Sequence, residues 1–118
     1  MTVLVILLMM VQTPAATPAA APPGNAVNGK TLFTQRGCWT CHGYVAQGGD
    51  QNPNATGPRL AGRAASWPAF SKYVRHPTGQ MVPYTEKILP DKELADIFAW
   101  LRSIPNPPAV SSLPLLKD

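Results

Sequence analysis

The sequence predicts an all-α domain, on three observations. From Asp91 to Ile104, apolar residues recur at Leu94, Ile97, Phe98, Leu101 and Ile104, the period of a helix with one buried face. Gly29, Leu32 and Phe33 repeat the i, i+3, i+4 spacing on a shorter scale. No segment alternates apolar and polar residues as a half-buried strand does, and no internal repeat occurs.

The elements follow in order. Asn25 can cap a helix running from about Ala26 to Arg36, with Gly37 as a left-handed stop. From Gly43 to Gly57 the turn formers Gly43, Gly48, Gly49, Asn52, Pro53 and Asn54 predict a loop, closed by Gly57-Pro58-Arg59-Leu60. Ser66 is the expected N-cap of a short helix that tolerates Pro68 in its first turn, buries Trp67, Phe70 and Val74, and ends before Pro77. A second loop holds Gly79, Met81, Pro83 and Tyr84. In the last helix Asp91, Lys92, Glu93, Asp96 and Arg102 are expected on the outer side. Its acidic start and Arg102 near its end both complement the helix dipole, and Pro105 stops it.

Length and composition narrow the possibilities. The chain has 118 residues, and its two ends are rich in Pro and Ala. Residues 25–104 are left as the folding domain, which is small enough for its core to be marginal unless a further apolar body joins it. The formal net charge is +4, from ten Lys/Arg and six Asp/Glu. The basic residues are dispersed, which fits a solvated surface or a positive face steering an acidic partner. No basic stripe with interleaved aromatics is present, which argues against nucleic acid.

Val3 to Val11 is an unbroken apolar run, followed by Gln12-Thr13-Pro14 and small residues to Ala21. A bilayer span needs about 20 residues, so the run reads as the core of a signal peptide, with an N-terminal anchor as the alternative. No Lys or Arg precedes it, and Ala19-Ala20-Ala21 offers a small-residue cleavage site ahead of Pro22. The expected organisation is a signal peptide or anchor with a Pro/Ala-rich linker over 1–24, the domain over 25–104, and a Pro-rich tail over 105–118.

The chemistry concentrates in Cys38-Trp39-Thr40-Cys41-His42, which uses the only two cysteines and one of the two histidines. C-x-x-C-H is the spacing at which two thiols add to the vinyl groups of a haem, with the histidine as axial iron ligand. Other uses fit less well. A redox dithiol belongs in a βαβ context that is missing here. A zinc site would need Cys38, Cys41, His42 and His76 together, although Cys41 and His42 are adjacent and awkward for one tetrahedral centre. A plain disulfide is the remaining option. In an oxidising compartment, thioether bonds would protect the pair from that fate.

For the second axial position, Met81 is the only methionine beyond the N-terminal segment and lies in a Gly/Pro-bounded loop without helical periodicity. A thioether is a soft ligand that favours ferrous iron and raises the reduction potential. His76, at the end of a helix in Arg75-His76-Pro77, is the competitor, and an open position is the third possibility.

Taken in order, Gly29-x-x-Leu32-Phe33, Cys38-x-x-Cys41-His42, Gly57-Pro58-x-Leu60, Met81-x-Pro83-Tyr84 and Leu94-Ala95-Asp96-Ile97-Phe98-Ala99-Trp100-Leu101 resemble a class I (mitochondrial-type) bacterial monohaem cytochrome c. The resemblance covers about Asn25 to Ile104. It implies three to four helices around one haem c attached through Cys38 and Cys41, with the first and last helices crossing. It further implies His42 and Met81 as iron ligands and a Pro58 carbonyl bonded to the His42 ring. Leu60 would line the crevice, and Trp67 would contact the propionates. Gly29 and Phe33 would meet Ile97 and Trp100. Two departures from the common pattern stand out: Val82 replaces a proline, and Pro90 replaces a Ser/Thr cap, whose role Asp91 could take.

The expected function is an exported electron carrier, in the bacterial periplasm or on the outer face of the cytoplasmic membrane. It would be a monomer meeting a redox donor and acceptor through transient, partly acidic docking surfaces. Membrane contact would come only through an uncleaved N-terminus or a membrane-bound partner. An electron-entry subunit of a larger dehydrogenase or oxidase is the alternative, with the Pro-rich tail as a possible docking segment. A haem enzyme or gas sensor with displaceable Met81 is a further one.

Overall fold

The computed structural model describes residues 19–49, 56–63 and 65–116. The expected apolar run Val3 to Val11 and the middle of the long loop, including Asn52, Pro53 and Asn54, lie outside the described residues. Among the described residues four α-helices occur: α1 (Ala26–Gln35), α2 (Trp39–His42), α3 (Trp67–Arg75) and α4 (Asp91–Ser103). Two 3₁₀ turns, Val110–Ser112 and Pro114–Leu116, follow in the tail. Among the described residues the only extended pairing is an isolated bridge between Gly49 and Gly57. The fold is all-α, and no described helix is long and apolar enough to cross a membrane.

Helix α1 begins where the Asn25 side chain accepts hydrogen bonds from the backbone N–H groups of Val27 (3.0 Å) and Asn28 (3.1 Å). It ends in a Schellman arrangement: Gly37 adopts φ +76°, its N–H reaches the Thr34 carbonyl, and the Cys38 N–H reaches the Phe33 carbonyl at 3.1 Å. The chain therefore turns sharply at Gly37. The next residue, Cys38, opens the single turn of α2.

Helices α1 and α4 form the principal packing of the domain. A Cβ at Gly29 would fall 1.9 Å from the Asp96 carbonyl oxygen, and one at Gly24 would fall 2.3 Å from that of Ala95. Contact this close is open only to residues without a side chain. One turn further on, the Phe33 and Trp100 rings meet at 4.8 Å between centroids and 55° between planes. Phe33, Leu89, Leu94 and Leu101 are the largest fully buried side chains. Leu89, Ala46 and Ala61 join this core from loops, outside any periodic segment.

Helix α3 packs its aromatic side on α4, with Phe98 against Trp67 (5.5 Å, 69°) and Phe70 (5.1 Å, 41°). Three expectations need correction. Ser66 occupies the N-cap position of α3 in an extended conformation, but its side chain makes no capping hydrogen bond. Asp91 does not cap α4, which follows Pro90 without a side-chain cap; its carboxylate is engaged by Arg75 at 2.6 Å. Asp96, expected on the outer side, is 4% exposed.

The close helix crossing explains Asp96. Because α1 lies almost on the α4 backbone, position 96 faces the start of α1 instead of solvent. Its carboxylate accepts from the Asn25 backbone N–H at 2.6 Å and the Asn28 amide at 2.8 Å. Burial opposes ionisation, but these two hydrogen bonds and the Lys92 charge outweigh it and hold the carboxyl below its ordinary 3.8. An acid from one helix thus satisfies donors at the N-terminus of the other.

Two outcomes follow from this crossing. Gly29→Ala lowers the unfolding free energy of the holoprotein by about 3 kcal/mol in chemical denaturation, since the added methyl meets backbone that cannot move aside alone. Asp96→Ala is destabilised at pH 7. Because the folded-state pKa is lowered, the stabilisation by Asp96 is complete above the ordinary value near 3.8 and disappears as pH falls through the lowered one. Thermal melts from pH 7 downward should show variant and parent converging at the acidic end; a constant gap would refute the role given to the ionised carboxylate.

Candidate functional site

A cavity of about 670 Å³ opens between the α1–α4 pair, the α2 turn and the loop before α4. That volume is within the usual range of about 300–1,000 Å³ for a small-molecule site. Its base is apolar, formed by Phe33, Leu94, Ile97 and Leu101. Cys38, Cys41 and His42 from α2 line it, as do Pro58 and Leu60 from the first loop and Met81 and Tyr84 from the second. No Asp, Glu, Lys or Arg lines it among the described residues.

His42 is held in a defined state. It is 8% exposed, and its Nδ1 lies 2.8 Å from the Pro58 carbonyl oxygen. A carbonyl can only accept, so Nδ1 carries the proton and Nε2 retains a lone pair. The first loop supplies this carbonyl by folding back on α2: the Gly57 N–H donates to the Cys41 carbonyl at 2.7 Å, and the Gly48 N–H to that of His42 at 2.8 Å. Leu60 and Ala61 both donate to the Ala46 carbonyl at 2.9 Å. Gly57 has a steric role that its place among turn formers did not reveal. A Cβ there would sit 2.7 Å from His42 Nδ1 and 2.8 Å from the Cys41 carbonyl oxygen.

Both cysteines are unpaired and half-buried. Burial pushes the Cys38 thiol up to about 11, against the opposing effects of hydrogen bonding and the Arg36 charge. A dithiol that exchanges disulfides needs a lowered thiol pKa, so Cys38 is poorly suited to that chemistry. No group of three or more His, Cys, Asp or Glu side chains able to hold a metal occurs among the described residues. Burial, and then the adjacent thiols, raise the Tyr84 phenol, which remains a donor. Its hydroxyl donates to the Arg36 carbonyl at 2.8 Å.

The other sequence candidates divide. Met81 is half-buried, packs against the core and lines the cavity. His76 is exposed at the end of α3 and borders a separate open groove with Ser71 and Arg75. Trp67, for which the resemblance implies contact with the propionates, is not among the residues that line the main cavity. Position 67 is turned toward α4, where the indole packs edge-on against Phe98 and borders the same outer groove. Tyr84 was visible only as part of a motif, and nothing in the sequence pattern marks its partner Arg36.

This donor set fits one kind of group. Two thiols three residues apart, a neighbouring imidazole with a free Nε2 and a thioether share one apolar cavity that no charged side chain lines among the described residues. They suit a large, flat apolar macrocycle that is fixed covalently and carries a metal with two axial positions. No curated protein and no solved structure matches the chain. The family described as cytochrome C oxidase, cbb3-type, subunit III matches residues 24–101, two thirds of the sequence. The apolar cavity and its C-x-x-C-H turn therefore belong to a chain of that family, a monohaem c-type cytochrome that carries electrons on a covalently bound haem c.

Proposed function

We propose that the protein is an exported single-electron carrier whose haem iron is held by His42 and Met81, leaving no position for a substrate. The observation that carries this reading is the convergence of Cys38, Cys41, His42 and Met81 on one apolar cavity from which His76 is absent. When bound, the haem supplies Fe(III)/Fe(II) cycling.

The residues of the chain do the rest. Cys38 and Cys41 fix the group in place, and the Pro58 carbonyl holds the His42 ring in its Nδ1–H tautomer. Phe33, Leu94, Ile97 and Leu101 exclude water from one side. Val82, next to Met81, lines the cavity while being 62% exposed, so the cavity has an apolar rim where a partner can approach. Dispersed basic side chains favour a partner with an acidic docking surface and make the encounter salt-dependent. The periplasm or the outer face of the cytoplasmic membrane is the corresponding location, with residues 1–24 as signal peptide or anchor.

A second reading is favoured by the family description, which names an oxidase subunit. In it the chain is the electron-entry subunit of a terminal oxidase, and the residue 105–118 tail takes part in assembly. Purification of the native protein from membranes in a stable complex supports the subunit; recovery as a free monomer supports the carrier.

Met81→Ala tests the ligand set. The variant should keep its covalent haem, with intact mass unchanged apart from the substitution, but become high-spin or take up an external ligand. It should also bind carbon monoxide readily in the ferrous state, while the parent does so poorly. An unchanged low-spin spectrum and unchanged potential would remove Met81 from the iron. Rapid stoichiometric carbon monoxide binding by the parent at neutral pH would point instead to a sensor or enzyme.

A further inference from the structure

Resting on Met81 as the proposed ligand, we infer that Tyr84 is a positioning residue: its hydroxyl bond to the Arg36 carbonyl clasps the Met81 loop shut over the cavity. Tyr84 lies three residues beyond Met81, and each of its polar groups is tied to a different partner. Its N–H donates to the Val74 carbonyl at 3.1 Å. Its carbonyl accepts from Arg75 Nη1 at 2.7 Å, while Arg75 Nη2 reaches Asp91 at the start of α4. Its hydroxyl crosses to the C-cap of α1 and donates to Arg36 at 2.8 Å, two residues before Cys38. The two backbone ties lead to α3, and through Arg75 to α4. Among the described residues, only the hydroxyl joins the Met81 loop by a hydrogen bond to the segment that enters the C-x-x-C-H turn.

The other side of the loop is tied less firmly. Tyr73 contacts the Thr78 hydroxyl at 3.1 Å, but both residues are exposed. Around Met81 itself, Gln80, Val82 and Pro83 are exposed, and no hydrogen bond joins Gly79–Pro83 to the rest of the described protein. Met81 is thus carried on a short span whose position is determined at its ends. Release of the Tyr84 hydroxyl leaves that end of the span held only through Val74 and Arg75, on the side of α3 and the start of α4. Any added ligand that competes for the iron must wait for Met81 to move away, so its apparent affinity scales with the fraction of molecules having the loop open.

Imidazole titration of the ferric holoprotein at pH 7 tests this. Tyr84→Phe keeps the ring and deletes only the clasp; it should bind imidazole about two- to tenfold more tightly than the parent, the range expected for one net hydrogen bond. Ser103→Ala loses a hydroxyl-to-carbonyl bond of the same kind at the far end of α4 and should match the parent. Met81→Ala should bind more tightly than all three. If Met81→Ala exceeds the parent while Tyr84→Phe equals it, the clasp is refuted and the ligand assignment stands. Equal affinity of Met81→Ala and the parent overturns both. A second readout is independent of the iron: amide hydrogen exchange in Tyr84→Phe should quicken across residues 79–84 and stay unchanged in α1 and α4. Uniform acceleration through all helices would reduce Tyr84 to a general stability role and overturn the inference.

Discussion

The contact of Gly29 with the backbone of α4 is the constraint on which the rest of the structure depends. Two helices of 10 and 13 residues are too short to be stable alone, and here each supplies the surface that orders the other. Their approach is limited by backbone at position 96, so distance and register are set together. Register matters because α1 ends at Gln35, two residues before Gly37, and Gly37 aims the chain into the C-x-x-C-H turn. A change in the crossing would displace Cys38 and His42 relative to Leu94, Ile97 and Leu101, which form the other side of the same cavity.

The site is then completed from two loops by different means. The first loop wraps α2 through backbone hydrogen bonds, and the lack of a side chain at Gly57 lets Pro58 come within 2.8 Å of the imidazole. The result is a rigid side, where the tautomer of His42 is determined by a carbonyl with no alternative role. The second loop is attached at its ends, mainly at Tyr84. A rigid imidazole side and an end-anchored thioether side place the capacity for movement at Met81.

Much of this was legible in the sequence where local rules suffice. The ends of α1, α3 and α4 fall within a residue of their expected places because Asn25, Gly37, Pro77 and Pro105 act on neighbouring backbone. The cysteine–histidine motif is local as well. Asp96 was not legible: its polarity and position in the helical period both argue for solvent, and only the approach of α1 makes it a buried acceptor. Leu89 and Ala46 belong to no periodic segment, so their burial follows from how the loops fold over the core. Trp67 carried the right apolar character for a buried face, but which neighbour it met depended on the rotation of α3 against Phe98. Tyr84 to Arg36 spans 48 positions in sequence and leaves no local trace.

That no charged side chain lines the cavity among the described residues bears directly on its chemistry. Bringing positive charge into apolar surroundings costs solvation, and the cost rises with the charge. With a haem bound, oxidation of its iron would add one positive charge, so a lining of Phe33, Leu94, Ile97 and Leu101 would oppose it and favour the reduced form. A thioether ligand acts in the same direction, since it donates weakly to ferric iron. The Pro58 bond acts the other way, because a carbonyl drawing on Nδ1–H makes the imidazole more electron-rich and supports the oxidised form. The potential is therefore a balance between a fixed hydrogen bond on one loop and desolvation by the core and the other loop. Of these, desolvation and the proposed Met81 ligation would respond to loop position. If Met81 holds the iron as proposed, loosening at Tyr84 would admit water and weaken the thioether together, and both changes would lower the potential.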